Sequence, residues 1–229
     1  MLSVNGLNVF YGESHVVRDV SFDVKDGETV AIMGRNGMGK STLLKSVIGV
    51  LKSRSGSVTL DGRNLTAGET YDRVAAGMGY VPQGRMIFPY LTVEENILSG
   101  METVPDKVIP QFVYDVFPVL KEMTGRKGGN LSGGQQQQLA IGRALLTNPK
   151  IMLLDEPTEG IQPNIVEQIE DAIIKLNKVH GITMMLVEQD IEFARRASDS
   201  FIIMEKGRVV AEGQVKNLTD NLVHKHLAI

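Results

Sequence analysis

The sequence predicts an α/β fold whose sheet is mostly parallel and covered by helices on both faces. Two apolar runs, IMLLDE and TMMLVEQ, have the composition of strands that are buried on both sides. A long helical pattern lies between them, and such alternation of strand and helix is typical of a parallel sheet. The chain from about 84 to 146 is mainly helical in pattern, which indicates a segment inserted into the sheet.

The N-terminal part of the chain is rich in predicted strands. Glycine-containing turns separate three runs of β-branched and apolar residues, Leu7–Phe10, Val16–Val24 and Glu28–Met33. After the loop GRNGMGK the pattern becomes helical, with one face formed by Leu43, Leu44, Val47 and Ile48. Two further short strands are predicted at Val58–Leu60 and Met78–Val81.

Helices dominate the middle of the chain, and strands return after it. The stretches TVEENI, KVIPQFVYDVFPVLKEM and QQQQLAIGRALL are predicted to be mainly helical. In the long helix after IMLLDE, we expect a buried face of Ile165, Ile169, Ile173 and Leu176 and a solvated face of Glu167, Glu170 and Lys175. The last predicted strand is FIIMEKG.

Composition restricts the class of protein. With 42% hydrophobic and 22% charged residues, the chain has the make-up of a globular protein, and its net charge of −3 gives no general attraction to nucleic acid. The absence of cysteine excludes disulfides and cysteine-based zinc sites. No apolar run approaches the ~18 residues of a membrane span, and the start MLSVNGLNVFYG lacks the pattern of a signal peptide. We therefore expect any membrane association to be peripheral, through a partner.

The stretch Gly34–Ser41, GRNGMGKS, fits the phosphate-binding pattern G-x-x-x-x-G-K-[ST] between a predicted strand and a predicted helix. Its glycines allow the turn geometry in which successive backbone N–H groups point at one anion. Lys40 supplies a charge for the β- and γ-phosphates of a nucleotide, and the Ser41 hydroxyl can bind Mg²⁺. The dipole at the start of the following helix also favours an anion.

A metal-binding carboxylate is predicted at the end of the strand IMLLDE. Asp155 stands at the carboxyl end of a buried strand, where the ligands of α/β sheets bind, and Glu156 follows at once. We assign Asp155 to Mg²⁺ and Glu156 to the orientation of an attacking water. This division of roles suits the hydrolysis of a nucleoside triphosphate.

The stretch Asn130–Ala140, NLSGGQQQQLA, predicts a helix start of unusual composition. Ser132 and Gln135 have the spacing of a capping box. Gly133 and Gly134 would weaken a helix that is only capped, since glycine costs up to ~1 kcal/mol against alanine in a helix interior. We therefore expect an anion to approach the exposed backbone N–H groups of this turn. The remaining glutamines are expected to lie mostly on the helix surface.

In this order, GRNGMGKST, LSGGQ and IMLLDEPT closely resemble the ATP-binding subunits of ABC transporters, from about Leu2 to Met204. The resemblance implies the fold of that family: a P-loop NTPase core with a mostly parallel sheet, an N-terminal antiparallel β subdomain and an inserted α-helical subdomain. The chain would then be a single ATP-binding domain, 1–229, with a core lobe at 1–84 and 147–229 and a helical subdomain at 85–146.

The resemblance also implies the site residues for ATP and Mg²⁺. Tyr11 would stack on adenine, and the phosphates would lie in the loop of Gly34, Arg35, Asn36, Gly37, Met38, Gly39, Lys40, Ser41 and Thr42. A γ-phosphate held by the opposite subunit of a head-to-tail homodimer or heterodimer would contact Ser132, Gly133, Gly134 and Gln135. Mg²⁺ would be bound by Ser41, Gln83 and Asp155, and hydrolysis would use Glu156, Gln83 and Gln189.

Partners and location follow from the same resemblance. The segment Gln83–Tyr90 would lie near transmembrane permease subunits, and an external solute-binding protein would complete the transporter. The chain would then be cytoplasmic and peripheral on the inner face of the cell membrane.

Two positions depart from the common pattern of the family. Gln189 replaces the switch histidine and cannot become a cation near pH 7, so hydrolysis must depend on Glu156. Gln162 replaces the D-loop aspartate. Both changes resemble the branched-chain amino acid importer branch, and DEPTEGIQP resembles its urea and short-chain amide subgroup.

Other classes of P-loop protein fit less well. A GTPase would read guanine with Asn-Lys-x-Asp, but the candidate at 177–180 is NKVH. ABC-type ATPases that act on nucleic acid, in repair or translation, usually carry long insertions, two cassettes or basic tracts, and this sequence shows none. The sequence therefore predicts a transport ATPase with no nucleic-acid partner, and it leaves open urea or a branched-chain amino acid as the substrate.

Overall fold

A computed structural model describes residues 1–101 and 108–227. Its strands are β1 (Leu2–Tyr11), β2 (Ser14–Val24), β3 (Thr29–Met33), β4 (Ser55–Leu60), β5 (Arg63–Asn64), β6 (Met78–Val81), β7 (Ile151–Asp155), β8 (Thr183–Val187), β9 (Ser200–Glu205) and β10 (Arg208–Gln214). Its α-helices are α1 (Lys40–Val47), α2 (Thr70–Ala75), α3 (Val93–Leu98), α4 (Gln111–Val116), α5 (Pro118–Glu122), α6 (Gly133–Leu145), α7 (Pro163–Lys178), α8 (Ile191–Ala197) and α9 (Asp220–His226).

The strands form two sheets. An antiparallel sheet has the order β2-β1-β4-β5, and a larger sheet has the order β10-β9-β3-β8-β7-β6. All neighbours in the larger sheet are parallel except β9 and β10. The predicted α/β fold, with its mostly parallel sheet and its antiparallel N-terminal strands, is therefore confirmed.

The parallel strands are apolar throughout because both of their faces are covered. Every residue of β3, β7 and β8 is buried. Along β7, Met152 and Leu154 pack with the helices on one face, including α6 and α7, while Ile151 and Leu153 pack with α1 and the antiparallel sheet on the other. The carboxyl ends of these strands carry the phosphate-binding loop Gly34–Ser41, called the P-loop below, and the predicted carboxylates.

Helices α3 to α6 occupy the chain between β6 and β7. The predicted helical stretch from 107 to 123 forms two helices, and its first residue lies outside the described residues. Phe117 separates these helices with an extended φ of −126°, because Pro118 restricts the residue before it and begins α5. No helix of the described residues is both long enough and apolar enough to span a bilayer.

Two expectations about helix faces are wrong. Glu170 is only 8% exposed, because α7 packs on α8 and Arg196 of α8 pairs with this carboxylate. Gln137 and Gln138 are also buried, because α6 lies among α3, α5, α7 and β6. The glutamine run is therefore largely interior rather than a solvated surface.

Candidate functional site

The P-loop joins β3 to α1. Gly39 precedes the helix with a φ of +97°, a left-handed conformation that favours glycine. Within the part of the chain that the structure describes, no side chain caps α1, and the first turn of this helix carries no acidic residue. The N–H groups at the start of α1 are therefore available to an anion, as the sequence predicts for a phosphate.

Lys40 lies beneath this loop and is only 4% exposed. Its Nζ donates to the carbonyl oxygens of Gly34 at 2.7 Å and Arg35 at 3.1 Å, and it lies 3.7 Å from Oε1 of Glu156. Burial lowers the pKa of Lys40, and the nearby carboxylates of Glu156 and Asp155 act in the opposite direction. A nucleotide phosphate would offer this buried charge a stronger partner.

The side chains of Asp155, at the end of β7, and Ser41, in the first turn of α1, are in contact. The Ser41 hydroxyl donates to Oδ1 of Asp155 at 2.8 Å, and Tyr80 donates to Oδ2 at 3.5 Å. Burial raises the pKa of Asp155, and the Ser41 hydrogen bond partly offsets that rise. A hydroxyl and a carboxylate in contact, with the Gln83 amide nearby, form an oxygen donor set that fits Mg²⁺.

Glu156 contacts Gln83 and Gln189, the two side chains to which the family resemblance gives a role in hydrolysis beside it. Its Oε1 accepts from Nε2 of Gln189 at 2.8 Å, and its Oε2 accepts from Nε2 of Gln83 at 3.2 Å. The Glu156 backbone has a φ of +50°, and its N–H donates to the Val187 carbonyl at 3.0 Å. The carboxylate is therefore fixed between the loop after β6 and the loop after β8.

The P-loop, Gln83 and Glu156 surround a cavity of about 400 Å³. It is lined by Val16, Asn36, Gly37, Met38, Gly39, Lys40, Ser41, Thr42, Gln83 and Glu156. A neighbouring cavity of about 340 Å³ contacts Gly34, Arg35 and Asn36 on one side and Glu188 and Gln189 on the other. Tyr11 is 48% exposed and is not among the residues that line either cavity.

The LSGGQ residues form the predicted capping box at the start of α6. The Ser132 hydroxyl accepts from the Gln135 N–H at 3.4 Å, and the Gln135 amide oxygen accepts from the Ser132 N–H at 3.0 Å. None of the four residues Ser132–Gln135 lines either of the cavities described above. The structure therefore does not bring the LSGGQ turn to the P-loop cavity of its own chain.

The two glycines of this turn have different surroundings. A Cβ at Gly134 would lie 2.2 Å from Cγ2 of Ile165, so the close packing of α6 on α7 requires glycine there. For a Cβ at Gly133, the nearest atoms would be those of the Arg85 guanidinium, at 3.2 Å. The expectation that both glycines serve the approach of an anion is therefore incomplete, since Gly134 has a packing reason.

Sequence reasoning missed two carboxylates near the site. Glu159 accepts from Nε2 of Gln83 at 2.6 Å. Glu188 is buried and accepts from Thr158, and burial raises the pKa of its carboxyl group. Glu188 directly follows the buried strand β8, and Asp155 is the last residue of the buried strand β7. This position at a strand end is the sequence feature by which Glu188 could have been identified.

The segment after Gln83 exposes apolar side chains. Gly84, Arg85 and Met86 have consecutive left-handed φ values of 80°, 68° and 47°. Met86 is 68% and Tyr90 85% exposed, and Phe88 is 48% exposed beneath the guanidinium of Arg143. Met86 and Phe88 border a groove of about 540 Å³ between α2 and α6.

Comparison with known proteins identifies the family. Residues 17–159 match the ABC transporter family. The high-affinity branched-chain amino acid transport ATP-binding protein BraG of Pseudomonas aeruginosa is 41% identical over 92% of this chain and 91% of its own length. The probable branched-chain amino acid transport ATP-binding protein LivF of Archaeoglobus fulgidus is 38% identical, over 96% of this chain and 95% of its own.

Solved structures of ATP-binding cassettes are similar to the structure of this chain. The dimeric post-hydrolysis state of an ATP-binding cassette, bound to ADP and Pi, matches with a TM-score of 0.84 and 29% identity, over 94% of this chain and 99% of that one. A dimeric bacterial ABC transporter cassette matches with a TM-score of 0.83, also at 29% identity and over the same shares of both chains. With its P-loop, its Asp155–Glu156 pair and its LSGGQ turn, this chain belongs to the ABC transporter family, as an ATPase whose hydrolysis is coupled to transport.

Proposed function

We propose that this chain is the ATP-hydrolysing subunit of an importer for branched-chain amino acids or for short-chain amides such as urea. The observation that carries the proposal is the match to BraG over nine-tenths of both chains. The probable LivF protein supports the same substrate class. The urea alternative depends only on DEPTEGIQP, the stretch that contains Gln162.

In the proposed reaction, ATP phosphates bind the P-loop N–H groups and Lys40, and Tyr11 stacks on adenine. Glu156 orients the attacking water and accepts its proton, while Gln189 and Gln83 fix the carboxylate through the bonds at 2.8 and 3.2 Å. Mg²⁺, held by Ser41, Asp155 and Gln83, would neutralise charge that develops on the phosphates. The neutral Gln189 orients its partner but moves no proton.

We propose that two cassettes close head-to-tail over the nucleotides. The separation of the LSGGQ turn from the P-loop cavity supports this arrangement, because Ser132–Gln135 then meet the γ-phosphate bound by the other copy. The similar cassettes solved as dimers support it as well. The second cassette is either another copy of this chain or a related subunit.

We propose that the segment Gln83–Tyr90, which exposes several apolar side chains, docks on transmembrane permease subunits. Met86, Phe88 and Tyr90 are exposed, and the first two border a groove. Such a surface suits a protein interface, where aromatic residues and methionine are enriched. In the full system a solute-binding protein delivers the substrate, and the cassette lies on the inner face of the membrane. The core lobe at 1–84 and 147–229 and the helical subdomain at 85–146 are proposed as the two parts of one domain.

Glu156→Gln tests the reaction and the dimer together. We expect it to abolish hydrolysis, to leave ATP binding intact and to trap a dimer with ATP and Mg²⁺ in gel filtration. Ser132→Arg should stop turnover while ATP still binds the P-loop. Full activity of Ser132→Arg would contradict the cross-subunit role. ATP-driven uptake of leucine against urea, by the chain reconstituted with its permease subunits and binding protein, distinguishes the two substrates.

A further inference from the structure

Glu188 is a buried carboxylate that has no role in the reaction proposed above. It follows the last residue of β8, at the edge of the sheet where the P-loop begins, and only 4% of it is exposed. A carboxylate removed from water to this extent is costly unless its oxygens accept hydrogen bonds. The position of those bonds therefore indicates what the side chain does.

The two carboxylate oxygens of Glu188 accept hydrogen bonds from two different loops. Oε1 accepts from the hydroxyl of Thr158 at 2.5 Å, in the loop after β7. Oε2 accepts from the backbone N–H groups of Gln189 at 2.7 Å and Asp190 at 3.2 Å, in the loop after β8. One side chain therefore links the loop that contains Glu156 to the loop that contains Gln189.

This link bears directly on the contact between Gln189 and Glu156. Nε2 of Gln189 donates to Oε1 of Glu156 at 2.8 Å. An uncharged glutamine amide depends on hydrogen-bond geometry alone, and that geometry weakens steeply when the donor moves or turns. The amide stays on the carboxylate only while the backbone at 189 stays in place.

We propose that Glu188 is a positioning residue for ATP hydrolysis, which fixes the backbone of Gln189 against Thr158 so that the Gln189 amide stays on Glu156. The inference rests on the proposed roles of Glu156 and Gln189. Glu188 acts through its hydrogen bonds, and a glutamine at 188 can reproduce them. Its oxygen can accept from the two N–H groups, and its amide can donate to Thr158.

The test measures steady-state ATP hydrolysis by variants of the full chain. We expect Glu188→Ala to lower kcat about 10-fold with the KM for ATP within about twofold, since misplaced supporting groups cost activity on this scale. Thr158→Val removes one of the three bonds and should lower kcat by about threefold. Glu188→Gln is the conservative variant and should keep at least about a third of the parent kcat. A kcat of Glu188→Ala equal to that of the parent would overturn the proposal.

A double-mutant cycle separates positioning from general structural support. In a Gln189→Ala background, Glu188→Ala should change kcat by less than about twofold, because the group through which it acts is gone. The same loss with and without Gln189 would overturn the proposal, as would a rise in KM that accounts for the whole loss. If Glu188→Ala does not fold in a thermal unfolding scan, Thr158→Val in the two backgrounds decides the question by the same criterion.

Glu156→Gln distinguishes a failure of this inference from a failure of the proposed reaction. If Glu156→Gln is inactive while Glu188→Ala keeps the parent kcat, only the positioning role of Glu188 is wrong. If Glu156→Gln hydrolyses ATP at the parent rate, the assignment of Glu156 is wrong and the role of Glu188 falls with it.

Discussion

Gly134→Ala should destabilise this protein, although alanine is the better helix former. Gly134 lies in the first turn of α6, and a Cβ there would lie 2.2 Å from Cγ2 and 3.0 Å from Cβ of Ile165. Carbon atoms in contact prefer separations of ~3.5–4.0 Å. Either α6 and α7 must separate by about 1 Å or the Ile165 side chain must leave its position.

Two opposing effects determine the size of the loss. Helix propensity favours alanine by at most ~1 kcal/mol, and by less in the first turn. Overpacking a fitted contact costs ~1–3 kcal/mol. The free energy of unfolding should therefore fall by about 1–2 kcal/mol, which lowers Tm by about 2–8 °C in a chain of this length.

Urea unfolding of the nucleotide-free protein, followed by circular dichroism, measures this loss. Gly133→Ala is the matched control, because the nearest atoms to the added Cβ would belong to the flexible guanidinium of Arg85. We expect the free energy of unfolding of Gly133→Ala to equal that of the parent or to exceed it by up to ~1 kcal/mol. Ile165→Ala removes Cγ2, so it should remove most of the cost of Gly134→Ala in the double variant. Gly134→Ala with the parent's unfolding midpoint and slope would refute the packing argument.

Three buried charges give further predictions. Lys40→Met should keep the free energy of unfolding of the nucleotide-free protein within ~1 kcal/mol of the parent, because it also removes a desolvation cost; ATP should then no longer raise Tm, and an unchanged ATP-induced shift would contradict this. Burial raises the pKa of Glu188 above its ordinary value of 4.5. The contribution of Glu188 to the free energy of unfolding is therefore complete below pH 4.5 and is lost as pH rises through the raised pKa. Unfolding at a series of pH values should therefore show Glu188→Gln becoming more stable relative to the parent as pH rises. A constant difference would show that the pKa of Glu188 is not raised, and a difference that changes in the opposite direction would show that the sign is wrong. Glu170→Gln should lose less than ~1 kcal/mol in the same urea assay, since Arg196 is 47% exposed, and a loss above ~3 kcal/mol would instead indicate a strongly coupled buried pair.

Features that depend on a short stretch of chain were predictable. The P-loop needs a strand, fixed glycine spacing and a helix, all within a few residues, so Lys40 and Ser41 were predicted from the sequence. Asp155 was predicted because a buried strand ends there. The roles of Gln83 and Gln189 were implied only by the family resemblance, because their contact with Glu156 joins loops that are remote in sequence.

Features that depend on packing between remote elements were not predictable. Glu170 has the spacing of a solvated helix face, and only the position of α8 brings Arg196 to it. Gln138 is buried because helices cover both sides of its own, although glutamine is typical of surfaces. Gly134 was attributed to a ligand because Ile165, on the next long helix, cannot be identified from the local pattern.

The left-handed backbone at Glu156 has a consequence for the history of the chain. A residue with a Cβ gives up roughly 1–2 kcal/mol in this conformation, which glycine adopts freely and asparagine tolerates. A lineage selected for stability alone would replace glutamate at this position. If Glu156 has the proposed role in hydrolysis, selection for turnover opposes that replacement, so duplicated copies that bind nucleotide without hydrolysing it should accumulate glycine or asparagine at 156.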